Sequence, residues 1–436
     1  MIAEIITIGN EILDGRVVDT NRVYLAQNLK ERGYEVRFAQ SVDDNIERIV
    51  DAFALAVSRS EAVFCTGGLG PTSDDMTIES FAKFLGVENP VNADAENFVK
   101  KIVESRGRSM NESQLKQARV PTGCEWIENP AGTAPGVFFK GMIQKKSVEF
   151  YFFPGVPREL TALFSKIFDQ KKTNASYKSY TWSTQFSFES ELQEQLKEIE
   201  KTIILKSLPF KIGFRTHFPE NHVSLMGTPT KEYEHEWETI KNLIHQELSS
   251  QCYAWGESVS SFEEIFLKEL NEHHAKILLV ESSTGGLISH LLTEVAGASS
   301  VLWGSQVCYA NQEKLQLGVS DSVISSYGAV SKQCAQEMAN SGLKRLEQTV
   351  PPSGTEYILS ASVTGIAGPG GATASKPVGL FCVGLAFMNR SKTQTLNIAH
   401  EFKGPPHLDR QRMKIYMARK TLEFMRVNFL NFIKNK

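Results

Sequence analysis

Little in this chain marks it for a membrane, a secretory route or a nucleic acid. No apolar run approaches the roughly 20 residues that a bilayer span needs. Met1-Ile-Ala-Glu-Ile-Ile6 carries no basic segment ahead of an apolar one, so it reads as a first strand rather than a signal peptide. A formal net charge of −3 leaves no positive field to hold DNA or RNA. The six cysteines are scattered and contain no Cys-x-x-Cys pair, which supports neither a disulfide framework nor a zinc site. Free thiols in a reducing cytoplasm are the expectation. Repeats of solenoid period and low-complexity tracts are also missing. What remains is an ordinary globular composition spread over 436 residues, too many for one core, so two or three domains are expected.

The first ~165 residues alternate strand-like and helix-like stretches. Ile2–Ile8, Tyr34–Gln40, Glu61–Cys65 and Val148–Phe153 read as strands, and Thr20–Arg32 and Ile46–Ser58 as helices. This is α/β patterning around a mainly parallel sheet with flanking helices. A polar linker is expected over 169–178. Beyond it, Ser179–Phe186, Lys211–Arg215 and His222–Gly227 read as strands, and Glu189–Ile199 and Glu232–Ser249 as helices, giving a small α+β unit of three strands and two helices. A third, α/β unit follows, so the expected division is 1–168, 169–256 and 257–436.

The third unit holds the densest chemistry. Lys276–Val280 reads as a buried strand, Glu281-Ser-Ser-Thr-Gly-Gly286 as a turn, and Leu287–Val295 as a helix. Such a turn gathers hydroxyls and backbone N–H groups at one point, which suits a nucleophile, an oxyanion or a phosphate. The same hexapeptide also serves as a plain helix cap with close strand–helix packing. Tyr309 and Lys314 supply a phenol and an amine where a strand gives way to a helix. A desolvated lysine falls in pKa and can serve as base to a serine. Thr364-Gly-Ile-Ala-Gly-Pro-Gly-Gly371 is a loop of small residues whose exposed amides favour an anion. Arg410-Gln-Arg412-Met-Lys414 puts cations at a helix start, a poor place for stability unless an anion is bound there. Each segment also has a plain structural reading as a cap, a solvated charge or a tight connection.

Taken together with Gly297-Ala-Ser-Ser300, Gly328-Ala-Val-Ser331 and Lys376-Pro-Val-Gly379, these segments resemble the CinA C-terminal domain in order and spacing. The resemblance implies an amidohydrolase that converts nicotinamide mononucleotide (NMN) to nicotinate mononucleotide and ammonia, with no cofactor. It places the nucleophile at Ser282 and its activating partners at Lys314 and Tyr309. Backbone amides near Thr284, Gly285 and Gly286 become oxyanion donors, Ser299 and Thr364 polar groups around the substrate, and Arg410 a phosphate ligand. Two positions depart from the family pattern. Ser283 stands where the family usually has cysteine, so two serines compete as nucleophile. The family's Gly-Asp-Arg is stretched to Gly404-Pro-Pro-His-Leu-Asp-Arg410, which keeps Arg412 as an alternative to Arg410.

In the first unit, Thr66-Gly-Gly-Leu-Gly-Pro-Thr-Ser-Asp-Asp75 follows a buried strand. Its glycines allow close approach to a phosphate, and Asp74 and Asp75 form a plausible hard-cation site. Gly9-Asn-Glu11 and Asp43-Asp44 close other strands on what would be the same edge. With Asn21, Asn129-Pro-Ala-Gly-Thr-Ala-Pro-Gly136 and Pro154-Gly-Val-Pro-Arg-Glu159, this string resembles the CinA N-terminal domain, itself similar to the molybdopterin-binding MoaB/MogA proteins. The resemblance implies a pyrophosphatase of ADP-ribose-like nucleotides that needs a divalent metal ion. Glu11 and Asp75 match its acidic positions, Asp75 as metal ligand, and Gly67, Gly68 and Thr72 match its phosphate loop, with Asn21 and Asp74 also at the nucleotide. A molybdopterin- or nucleotide-binding accessory protein without hydrolysis is the alternative. The middle unit falls where the family has a KH-like domain, but it lacks a Gly-x-x-Gly clamp and a basic face, so direct RNA or DNA binding is not expected. Edge strands of the first unit and the family habit point to a homodimer.

Overall fold

The computed structural model describes residues 1–169 and 177–434, so the expected linker at 169–178 lies mostly outside the described residues. Contacts divide the chain into two compact units, Met1–Lys178 with Met226–Trp237, and Ser179–Leu225 with Glu238–Lys436. The residues expected as a separate middle domain are thus shared between them. Among the described residues, no helix is long and apolar enough to cross a membrane.

The first unit is built on strands β1 (Ile2–Ile8), β2 (Glu35–Val42), β3 (Ala62–Thr66), β4 (Glu125–Ile127), β5 (Gly136–Ile143) and β6 (Lys146–Phe153), in the order β2-β1-β3-β6-β5-β4. β2, β1, β3 and β6 are parallel, and β5 and β4 are antiparallel additions at one edge. Successive residues of one strand enter different cores, as the two-residue period requires: Phe64 lies with Leu25 and Phe164, and Cys65 with Phe53 and Phe150. A sheet buried on both faces explains why these strands read as continuous apolar runs.

Strands β7 (Lys178–Gln185), β8 (Phe210–His217), β9 (Glu220–Gly227) and β10 (Cys252–Gly256) form a sheet in the order β10-β7-β9-β8. Three strands were expected here, and β10 is the correction. It pairs antiparallel with β7 through residues that are mostly half-buried, so its five residues give no clear alternation.

The C-terminal sheet consists of β11 (Ala275–Glu281), β12 (Leu302–Val307), β13 (Tyr357–Gly365), β14 (Leu380–Asn389) and β15 (Gln394–Lys403), ordered β12-β11-β13-β14-β15. β12, β11 and β13 are parallel, and β14 and β15 are antiparallel. Ile277 and Leu279 face one layer with Phe266, Met417 and Phe429, from the helices Phe262–Glu272 and Arg410–Lys434. Leu278 and Val280 face the other, with Met338 and Leu343 of the helix Lys332–Thr349.

That second layer is close-packed. A Cβ at Gly384 of β14 would lie 2.2 Å from the carbonyl oxygen of Ala335. Gly384→Ala is expected to cost about 1–3 kcal/mol, because a rigid carbonyl and not a flexible side chain must give way. The reading is the urea midpoint of the C-terminal unit. A midpoint equal to wild type would contradict this strand–helix contact.

Candidate functional site

The Ser282 turn is organised by the residue before it. The side chain of Glu281, fully buried, accepts hydrogen bonds from Thr284 Oγ1 (2.8 Å), Ser305 Oγ (3.2 Å) and the amides of Gly286 (3.0 Å), Ile288 (3.1 Å) and Ser289 (3.0 Å). A carboxylate thus occupies the amides at the start of the helix Leu287–Thr293. Gly285 (φ +64°) and Gly286 (φ +94°) take the left-handed backbone that folds the turn back onto that carboxylate. The Ser282 amide donates to the Val363 carbonyl at 2.9 Å, which ties the turn to β13.

Lys314 sits on the short helix Asn311–Leu317 and is 1% exposed. Its Nζ lies 3.1 Å from Ser282 Oγ, within hydrogen-bond reach, and donates to the carbonyls of Cys308 (2.8 Å) and Tyr309 (3.0 Å). No carboxylate pairs with it among the described residues. Burial lowers its pKa from the ordinary lysine value. A neutral amine has two N–H donors and one lone pair. The two carbonyls match the donors, which leaves the lone pair for the Ser282 hydroxyl.

The two groups open on a cavity of about 210 Å³ whose lining includes Ser283, Thr364, Gly370, Gly371 and Arg410. Ser283 Oγ is buried and has no hydrogen-bond partner among the described residues. Lys314 bonds to Ser282 and not to Ser283, which distinguishes the two serines. Thr364 donates to the Ala329 carbonyl at 2.9 Å. Arg410, the first residue of the last helix, donates to the Gly368 carbonyl and, at 3.0 Å, to the Tyr309 hydroxyl oxygen. Arg412 is exposed, lies beside Asp409 and does not line the cavity.

Five residues are placed otherwise than expected here. The Tyr309 phenol is exposed and meets Arg410; only its backbone carbonyl reaches Lys314. Thr284 is turned inward to Glu281, and the Gly286 amide is taken up by the same carboxylate. The Gly285 amide donates to the Ser282 carbonyl at 3.1 Å, so neither glycine offers a free oxyanion donor. Ser299, exposed in the turn Ala298–Ser300, does not line the cavity. Ser283, Gly370 and Gly371 do line it, and their amides make no hydrogen bond among the described residues. Glu281 was missed as an organiser. Its signal was an acid ending an otherwise apolar strand.

In the first unit the carboxyl ends of β1 and β3 meet closely. A Cβ at Gly67 (φ +101°) would lie 2.0 Å from the Ile8 carbonyl oxygen. One at Gly68 (φ +66°) would lie 2.2 Å from Thr77 Oγ1, which itself donates to the Gly67 carbonyl at 2.8 Å. Beside this loop is a cavity of about 540 Å³ lined by Glu11, Asp44, Gly67, Gly68, Asp74 and Asp75, among others. Burial raises the pKa of Asp44, and the charges of Glu11, Asp74 and Asp75 raise it further. Two expected residues act otherwise. Thr72 stays outside the lining and gives its amide (2.8 Å) and hydroxyl to Asp75. Asn21 ties Thr66 Oγ1 (3.0 Å) to the Gly155 carbonyl (2.7 Å) and borders a smaller cavity of about 70 Å³. Asp44, expected on this edge, and Glu159 of the 154–159 segment both line the main cavity, and Asn129 donates to Glu159 at 2.7 Å. Among the described residues, no three His, Cys, Asp or Glu side chains are gathered as a ready metal centre.

Comparison with known proteins follows the same division. Residues 259–427 match the family model "CinA C-terminal domain", and residues 4–172 match "Probable molybdopterin binding domain". A "CinA-like protein" of Dictyoglomus thermophilum is 33% identical over 437 residues, covering 99% of this chain and 100% of that protein. One from Desulfosudis oleivorans is 35% identical over 404 residues, covering 88% and 91%. Among solved structures, the protein CinA from Thermoplasma acidophilum is 40% identical, with a TM-score of 0.35, over 39% of this chain and 96% of that one. Full-length likeness at this identity, with both domain models in the same order, means that the chain belongs to the CinA family, a MoaB/MogA-like domain leading and a CinA C-terminal domain following.

Proposed function

We propose that the C-terminal unit hydrolyses the carboxamide of NMN to give nicotinate mononucleotide and ammonia. The observation that carries this reading is the buried, carboxylate-free Lys314 Nζ at 3.1 Å from Ser282 Oγ, with two carbonyls on its other sides. Ser282 Oγ attacks the carboxamide carbon as Lys314 takes its proton. The amides of Ser283, Gly370 and Gly371 are the candidate donors to the oxyanion, where one lost donor typically costs about 3–4 kcal/mol. The C–N bond then breaks, and Lys314 returns the proton to the leaving ammonia. Water, deprotonated by the same amine, cleaves the acyl-serine and restores Ser282. Arg410 is the phosphate cation, and the Tyr309 hydroxyl holds its guanidinium in place rather than relaying the proton.

The first unit is proposed as a pyrophosphatase of ADP-ribose-like nucleotides. Its residues suit a divalent cation. Burial and the charges of Glu11, Asp74 and Asp75 push the Asp44 carboxyl up, a repulsion that a cation would offset. Asp75 would hold the ion, with Glu11 and Asp44 lining the same cavity, and the ion when bound would supply charge neutralisation to the diphosphate. The loop Gly67–Gly70 brings backbone close to the phosphates. A second reading, binding of a nucleotide or molybdopterin without hydrolysis, is favoured by one observation: these carboxylates are not gathered into a three-donor centre among the described residues. The homodimer and the cytoplasmic location remain parts of this proposal.

Ammonia release from NMN is expected to fall by about three orders of magnitude or more in Ser282→Ala and in Lys314→Met, with the double variant no worse than either. Ser283→Ala is expected to keep Ser282-dependent turnover. Loss of activity in Ser283→Ala with full activity in Ser282→Ala would reverse the assignment.

The working form of Lys314 is the free amine. Deamidase kcat/KM should therefore climb with pH up to the lysine's lowered pKa and level off above it, below where an ordinary lysine titrates. A profile flat across that range would exclude the amine as base. For the first unit, AMP release from ADP-ribose should require a divalent ion and drop at least about a hundredfold in Asp75→Asn. No AMP with any divalent ion would favour the binding reading.

A further inference from the structure

The helix Arg410–Lys434 has two sides. Met413, Met417, Met425 and Phe429 enter the core of the C-terminal sheet. At about 100° per residue, Tyr416, Arg419 and Lys420 fall on the opposite side. That side is held by the sheet β10-β7-β9-β8, which the chemistry above does not use. The Arg419 side chain is 12% exposed, and its guanidinium lies 2.9 Å from Glu220 Oε1, at the start of β9, and 2.8 Å from Glu263 Oε1. Phe186, the residue after β7, meets Tyr416 edge to face with ring centroids 5.0 Å apart. Lys420 Nζ stands 4.6 Å above the centre of the same Phe186 ring. On its far side the Tyr416 ring meets Phe381 of β14, at 6.2 Å.

Phe186 and Glu220 belong to one tied edge of that sheet. The Phe186 amide donates to the Pro219 carbonyl at 2.9 Å, and Asn221 Nδ2 donates to the Ser187 carbonyl at 2.6 Å. Phe186 itself holds a left-handed backbone (φ +63°). A bulky residue adopts that conformation rarely, and only where its surroundings fix it. Here it turns the ring onto the helix. A buried guanidinium between two carboxylates tolerates little displacement, because a shift leaves charge unpaired away from water. The ring contacts and the ion pair together therefore fix both the rotation of the helix and its place along its own axis. Arg410 stands nine residues before Arg419, about 13 Å along that axis. We propose that Glu220 and Phe186 are positioning residues for Arg410, and that the middle sheet is a clamp setting where this guanidinium meets an anion in the Ser282 cavity. The inference rests on the reading of Arg410 as the cation for the NMN phosphate. Ser282 and Lys314 are carried by the end of β11 and the helix Asn311–Leu317, so the clamp bears on substrate binding and not on proton transfer.

Two measurements on the full-length chain test this, the kinetics of ammonia release from NMN and amide hydrogen exchange. Glu220→Gln is expected to raise KM for NMN about tenfold while kcat stays within about twofold of wild type. In an Arg410→Met background the same substitution should change KM by less than about twofold, because the cation it positions is gone. Phe186→Ala should behave as Glu220→Gln does, and it carries the test if the buried ion pair proves necessary for folding. An unchanged KM, a fall in kcat as large as the rise in KM, or a KM effect that multiplies in full with that of Arg410→Met overturns the positioning role. Exchange at residues 410–420 should quicken in both variants while that of β11 does not, and unaltered exchange at 410–420 overturns the clamp. If wild type releases no ammonia from NMN, the deamidase reading falls and the exchange measurement alone decides the clamp.

Discussion

An amine buried without a counter-ion is the constraint around which the C-terminal unit is arranged. A lysine ammonium inside a protein is costly unless a carboxylate pairs with it or it gives up its proton. Among the described residues, Lys314 Nζ meets a hydroxyl and two carbonyls. The environment therefore favours the neutral form, and the neutral form is the one that can accept a proton from Ser282. The strand β11 fixes the serine, the helix Asn311–Leu317 fixes the lysine, and the chain between them supplies the carbonyls at 308 and 309. Stability and reactivity pull in opposite directions at this point, as is usual where a group is poised to act.

Glu281 shows a related division of labour. A helix start after a glycine turn is a ready anion site, but here the protein's own carboxylate fills it. That arrangement makes the turn rigid and withdraws the amides of the first helical residues from any substrate. An anion in the cavity would have to find its charge elsewhere, and Arg410 is a cation in the lining. In the first unit, the glycines at 67 and 68 owe their identity to neighbours that an added Cβ would meet at 2.0 Å (the Ile8 carbonyl oxygen) and 2.2 Å (the Thr77 hydroxyl). The same close approach that bars a side chain lets a ligand approach the backbone.

Much of the fold was legible because strands buried on both faces leave long apolar runs. Ile2–Ile8 is found where the sequence puts it, and the helices beginning at Thr20 and Ile46 start where their spacing predicts. β5 and β10 were not seen. Gly136 and Gly141 interrupt the first, and the second is short and half-exposed. The site was less legible. Nothing in local spacing says that Ser282 and Lys314 meet, since they are brought together by the parallel pairing of β11 with β12. The resemblance to the CinA domain implies that Ser282 and Lys314 act together, without saying which strands bring them there. Spacing also fails to tell which hydroxyls of a turn face outward. Thr284 turns in to a carboxylate and Ser283 faces the cavity, though they are neighbours in sequence.

Arg410 begins the helix Arg410–Lys434, whose later residues Met413, Met417, Met425 and Phe429 fill the core beneath the sheet. In chain order this helix follows every strand of its unit. During synthesis Ser282, Lys314 and the loop at 364–371 all leave the ribosome before Arg410 does. The cavity of this half therefore gains its Arg410 wall only once the last of its elements has docked.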